Sequence, residues 1–188
     1  MRGRRNPGLH GHSQVAILDI NFEISDEEFL NRYDRAGNRF LRLVLFLLLF
    51  NREAVDWVDG TRLGYDNTGS PITKGYQPQW HHIYPRNLLR KSGRVDDEIH
   101  ALANITVLNE RTNVNKLAGK APWEYIAQYD ITADKLSGHL VPEAFAQASE
   151  EGSLEETWAI EQNDRFLVER ATLLARAANE WLSHLQKG

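Results

Sequence analysis

Cysteine is missing from all 188 residues. That absence excludes a disulfide framework and the paired Cys-x-x-Cys zinc knuckles that brace many small folds, so any metal must be held by nitrogen and oxygen. Long apolar runs are missing too. The greasiest stretch, Leu43 to Phe50, is far shorter than the roughly 20 residues a membrane-spanning helix needs, and Arg42 and Arg52 flank it. It reads as a buried helix, and no membrane partner is expected. There is no internal repeat, no low-complexity tract and no surplus of basic charge. The net charge of −4 argues against a uniformly basic nucleic-acid binder. The Met-Arg-Gly-Arg-Arg start is basic, but no apolar segment follows it, so a cytoplasmic location is expected rather than secretion.

What is there is unevenly distributed. Residues 1–80 carry 10 basic and 10 acidic side chains, residues 81–120 carry 7 and 4, and the segments beyond are acidic. The one net positive block is therefore 81–120, where a phosphate backbone would be held if one is bound. An apolar share of 41 % is ordinary for a folded chain of this length and predicts one unit with its own core.

The pattern divides the chain into an N-terminal arm with a short strand (1–24), a helical support and loop (25–75), a central block (76–129) and a C-terminal helical support (130–188). Alternation at Ile20, Phe22 and Ile24 suggests the strand. Ser25-Asp26-Glu27-Glu28 is a capping box that starts a helix at Asp26, with a break near Gly37 and an end near Asn51. From Asp59 to Gln79, Gly, Pro, Asn and Thr dominate and mark a long loop. Two short apolar runs follow, around Trp80 to Pro85 and Ala103 to Leu108. A helix then opens near Glu110, and another starts at Pro122 and runs through Gln128. Ser153-Leu154-Glu155-Glu156 repeats the capping logic ahead of a helix with Phe166, Leu167, Leu174, Trp181 and Leu182 on one face. The predicted class is α+β and mainly helical, with a two-stranded motif packed between helices from both ends of the chain.

The residues able to do chemistry lie in the central block. In Trp80-His81-His82-Ile83-Tyr84-Pro85 the two histidines would point to opposite sides of a strand, so they suit two jobs rather than one shared ion. Imidazole is mostly unprotonated at neutral pH and can take a proton from water, or it can ligate a metal. Asn113 can offer a carbonyl oxygen from the following helix. A lone His-His pair is ordinarily a surface or core feature, and Asn104 reads equally well as a structural amide on a tight loop. His10-Gly11-His12 has no further ligand near it in the sequence, and Trp80, Trp123, Trp158 and Trp181 are assigned to packing.

The order of these elements resembles the HNH, or His-Me finger, nuclease family. There a first strand ends in a His-Ile-x-Pro turn preceded by Asp, Glu or His, a second strand carries an asparagine, and a helix presents Asn or His to a metal. The nine-residue step from Asn104 to Asn113, with Lys116 beyond, is similar to the HNH domains of CRISPR effector nucleases. The closest likeness is to the C-terminal nuclease domain of GmrSD-type restriction enzymes. It rests on His81-His82-Ile83-Tyr84-Pro85, Asn104-Ile105-Thr106-Val107-Leu108, Thr112-Asn113 and Lys120-Ala121-Pro122-Trp123-Glu124-Tyr125, and covers about 76–129.

The resemblance implies a ββα-metal fold and phosphodiester hydrolysis in a restriction or phage-defence system. DNA is the implied substrate and RNA the alternative. It makes His82 the general base, Asn104 the residue that orients the loop holding it, and His81 and Asn113 the ligands of one divalent ion. Arg86, Arg111 and Lys116 would contact phosphates. His81 stands where many relatives have a carboxylate, and a neutral ligand pair shifts preference from Mg²⁺ toward Mn²⁺, Ni²⁺ or Zn²⁺. The nucleotide-hydrolysing motif of GmrSD-type proteins is not found in these residues, so a partner domain or subunit carrying it is implied. The competing expectation is a catalytically silent module that binds nucleic acid or a partner on the same fold.

Overall fold

The computed structural model describes residues 23–66 and 68–187. It is mainly helical, with one two-stranded antiparallel sheet. The expected arm, His10, His12 and the strand residues Ile20 and Phe22 lie outside the described residues. Ile24 is buried but irregular, tied through its backbone N–H and C=O to the Asn179 amide at 2.9 Å each.

Helix α1 (Asp26–Leu30) starts where the capping box predicts, with the Ser25 N–H donating to the Glu28 carboxylate at 3.0 Å. The expected break near Gly37 is wider than a point. The chain leaves the helix at Asn31 and resumes regular α-helix only at α2 (Arg39–Asn51). Its backbone between is spent on another element: Tyr33 N–H donates to His100 O, and Leu102 N–H donates to Asn31 O, both at 2.9 Å. Helix α2 buries Leu41, Val44, Leu45, Leu48 and Leu49, the i, i+3, i+4, i+7, i+8 stripe of an amphipathic helix. Each such side chain contributes about 1.5–3 kcal/mol.

Strand β1 (Pro78–His82) pairs with β2 (Ile105–Asn109), placing His81 opposite Thr106 and His82 opposite Ile105. Short helices α3 (Arg86–Lys91) and α4 (Asp96–Ile99) connect them. After β2 the chain turns into α5 (Glu110–Thr112), which continues as a wider π turn over Asn113–Leu117. Helices α6 (Pro122–Gln128), α7 (Ala133–Gly138), α8 (Glu143–Glu150) and α9 (Leu154–Thr157) lead to the long α10 (Asn163–Lys187). The second capping box does not form. Ser153 is not extended, and its hydroxyl instead donates to Ala148 O at 3.4 Å, so only one turn of helix follows before the chain breaks ahead of α10.

One hydrophobic cluster joins α2, both strands, α6, α8 and α10, so the central block and its two supports share a core. Helix α10 reaches α2 as expected, and it also packs on α1 and on the turn that enters β2. Among the described residues no helix is long and apolar enough to cross a membrane.

At the centre of α10, Arg170 is fully buried. Its guanidinium donates to the carbonyls of Ala103 (2.7 Å), Ile105 (2.8 Å), His139 (3.0 Å) and Leu140 (3.3 Å). Burial lowers its pKa to about 9, which leaves it charged at neutral pH. Arg170→Met keeps the stem's bulk and removes the donors, stranding carbonyls in the interior. The expected loss is about 3–5 kcal/mol of unfolding free energy, read from urea midpoints, with the secondary structure retained in buffer. A loss below about 1 kcal/mol would show that the carbonyls find other donors.

Candidate active site

The pleat of β1 separates the two histidines, as expected. His81 turns toward Trp57 and Tyr125, with ring centroids 5.7 and 5.8 Å away, and is only 3 % exposed. His82 faces the other way, edge-on to Tyr33 at 5.6 Å and to His100 at 5.1 Å, and is half-buried.

Asn113, on the π turn, reaches His81 across 32 positions: His81 Nδ1 lies 2.8 Å from Asn113 Oδ1. The proton in that contact can be assigned. Asn113 Nδ2 donates to Trp80 O at 3.3 Å and to Gln79 Oε1 at 3.2 Å, and a backbone carbonyl only accepts, so Oδ1 must be the atom facing His81. Nδ1–H is then the donor, and Nε2 keeps a lone pair that is buried and has no partner among the described residues.

Asn104 is fully buried directly behind the turn. Its amide oxygen accepts from Tyr84 N–H at 2.9 Å, and its nitrogen donates to Tyr84 O and Ile99 O, each at 3.0 Å, while its own carbonyl accepts from Ile83 N–H at 2.9 Å. The side chain therefore takes the place of a missing strand on the His81-His82-Ile83-Tyr84-Pro85 turn. Two tyrosines complete the grip. Tyr125 OH donates to Ile83 O at 3.1 Å, and Tyr84 OH donates to Trp158 O at 2.8 Å. The Lys120 to Tyr125 string has a local use at each end: Pro122 opens α6, Glu124 accepts from Ala121 N–H at 2.6 Å, and Lys120 donates to Gln128 at 2.7 Å.

His81, His82, Asn113 and Arg86 line one cavity of about 410 Å³, with Trp80 and Gly119 at its walls. Trp80, assigned from sequence to packing alone, is half-buried and takes part in both core and cavity. Arg86 is exposed and makes no hydrogen bond or ion pair among the described residues. Arg111 and Lys116 do not line the cavity; Lys116 lies 5.7 Å from the Tyr129 ring centroid. Arg90, which does line it, is paired with Asp96 at 3.3 Å, and Arg94 is tied to Asp164 at 2.6 Å.

Three residues of this neighbourhood carry no spacing signal in the sequence. His100 meets His82, Nδ1 to Nε2, at 3.1 Å. His139 is fixed by Val55 O at 2.8 Å, so its Nε2 carries the proton and Nδ1 accepts from Thr106 Oγ1 at 2.6 Å. Asp56, fully buried, accepts from Val58 N–H, Asp59 N–H, Asn109 N–H and Thr112 Oγ1, and so pins the long loop to the helix that presents Asn113. Its bond to the residue two positions on is the local Asx turn that an Asp before a glycine-bearing loop could have suggested. Burial pushes its carboxyl pKa up against those hydrogen bonds.

Among the described residues no three of His, Asp and Glu are grouped so as to hold a metal. A cation here would rest on the neutral pair His81 and Asn113. Their facing atoms, 2.8 Å apart, are close to the roughly 3 Å that separates neighbouring ligands on an octahedral ion with ~2.1 Å bonds. Such an ion would replace the proton now between them. The pair thus fits a weakly held ion.

No family model, no curated protein and no solved structure matches the chain.

Burial lowers the pKa of His81 to about 4 and of His82 and His139 to about 3, all from 6.5. The folded state therefore binds fewer protons than the unfolded chain as pH falls. Stability from these groups is complete above about pH 6.5 and drains away between 6.5 and about 3, at up to about 1.4 kcal/mol per pH unit for each ring. Urea midpoints should fall from pH 7.5 to pH 5, before most carboxylates titrate, and the fall should be shallower in His139→Gln. A flat profile over that range would mean these rings titrate normally.

Proposed function

We propose that this chain is a metal-dependent endonuclease of the His-Me finger type, hydrolysing phosphodiester bonds in DNA, in a restriction or phage-defence setting. The observation that carries the reading is the convergence of His81, His82 and Asn113 on one cavity beside the unpaired cation of Arg86. These residues come from a strand, a helix start and a π turn, and only an antiparallel pair followed by a helix brings them together.

In this reading Arg86 receives a phosphate from solvent, and Asn104 holds the turn so that the His82 ring stays at the cavity wall. His82 is neutral at pH 7 and can accept a proton from the attacking water; the negative charge of a bound phosphodiester raises its basicity at that moment. Attack in line with the leaving group gives a 5′-phosphate and a 3′-hydroxyl. His81 and Asn113 would hold a divalent ion, which supplies charge stabilisation at the phosphoryl and leaving oxygens when bound. A nucleotide-hydrolysing partner belongs to this proposal as well.

Nicking of supercoiled plasmid should require a divalent ion, run faster with Mn²⁺ or Ni²⁺ than with Mg²⁺, and stop with EDTA. His82→Ala should lower the rate at least about a hundredfold while melting changes little. The neutral, carboxylate-free site favours one other reading, a silent binding module. Intact DNA binding with no nicking under any of these ions would select that module over the enzyme.

The geometry also narrows the phosphate contacts. In fluorescence anisotropy with Ca²⁺, Arg86→Ala should make the slope of log affinity against log salt shallower by about 0.9, equally for all sequences, while Arg111→Ala leaves it unchanged. The reverse pattern would place the nucleic acid over the helix after β2 instead.

A further inference from the structure

The contact between His82 and His100 takes no part in that hydrolysis. The two rings meet at 78°, with His82 Nε2 3.1 Å from His100 Nδ1, and Tyr33 covers both. His100 is 6 % exposed and does not line the cavity, so it acts on the site only through His82. One proton must lie between the two nitrogens, and its owner decides which atom of His82 remains a base.

We propose that His100 is a positioning residue: it accepts the Nε2–H of His82 and so fixes that ring with Nδ1 proton-free, as the atom offered to the cavity. Two considerations favour this direction. With the proton on His82 Nε2, both rings hold their hydrogen at Nε2, the tautomer a neutral histidine side chain prefers; the reverse bond forces both rings into the less favoured form. Asp34 points the same way. It is the largest charge effect raising proton affinity at His100, ahead of the opposing Arg32 and Arg86, but the smallest at His82. With Nδ1 of His100 turned to His82, the carboxylate's field is met through Nε2, which holds that ring's proton there. The segment that brings Tyr33 and Asp34 alongside is itself fastened to His100 O.

The kinetic side of this inference rests on the nuclease reading; the tautomer does not. Long-range ¹H–¹⁵N correlation spectra at pH 7.5 should show His82 with a protonated, exchange-protected Nε2 and a proton-free Nδ1. The protected Nε2–H should survive in His100→Asn, whose amide oxygen stands where Nδ1 stood, and vanish in His100→Phe, which keeps a ring but offers no acceptor. Turnover should fall about tenfold or more in His100→Phe with KM held, and return most of the way in His100→Asn. A wild-type His82 protonated at Nδ1 overturns the proposal whatever the variants do, and so does full turnover in His100→Phe. If wild type shows the expected tautomer yet cleaves nothing, the hydrogen-bond assignment stands and the nuclease reading falls. The wild-type spectrum needs no variant to fold.

Discussion

The guanidinium of Arg170 is a full charge in the interior, held by carbonyl dipoles alone. Four backbone oxygens from two separate stretches converge on it: Ala103 and Ile105 at the entry to β2, His139 and Leu140 at the end of α7. Moving a cation out of water is costly, and carbonyls offset that cost only while all stay in place. The entry to β2 is thereby fixed relative to α10, and Asn104 sits between the two clamped residues. From Asn104 the constraint passes to Tyr84, hence to the turn after His82. Long before any chemistry, the position of the histidine pair depends on a charge in a helix near the other end of the chain.

Much of this was legible from local pattern. The capping box at Ser25, the stripe on α2 and Pro122 at the start of α6 are short-range signals, and the elements follow them. The opposed directions of His81 and His82 follow from strand pleating. Asn104 as the brace of the turn was legible because a buried asparagine with two donors and an oxygen acceptor suits a strand-less backbone. His100, Asp56 and Arg170 were not legible. Each acts on residues at least 18 positions away, through folding of an intervening segment whose own sequence says nothing of the encounter. Ser153 misled for the related reason that a capping pattern competes with tertiary alternatives, and its hydroxyl found Ala148 O instead.

The candidate site is built on neutral groups. His81, His82 and His139 are all held below their ordinary pKa by burial, and the amides of Asn104 and Asn113 do the hydrogen bonding. No carboxylate lines the cavity, so it brings no standing negative charge to repel a phosphate. Among the described residues lining it, the charge without a partner is positive, on Arg86. A polyanion can approach such a surface even though the chain as a whole is acidic, because screening confines the distant carboxylates to a range of about 8–10 Å.

The π turn over Asn113–Leu117 has a consequence for chain length. A π turn accommodates one more residue than an α turn in the same axial space, so deleting any one position between 113 and 117 would let the helix relax to its commoner form. Each residue removed swings the rest of the chain by about 100° around the axis. Leu117 would leave the core, where it is now wholly enclosed, and α6 would carry Tyr125 away from Ile83 O. Insertions and deletions at this point are therefore far less tolerable than substitutions, and the count of residues between Asn113 and Tyr125 is as much a part of the site as the side chains at either end.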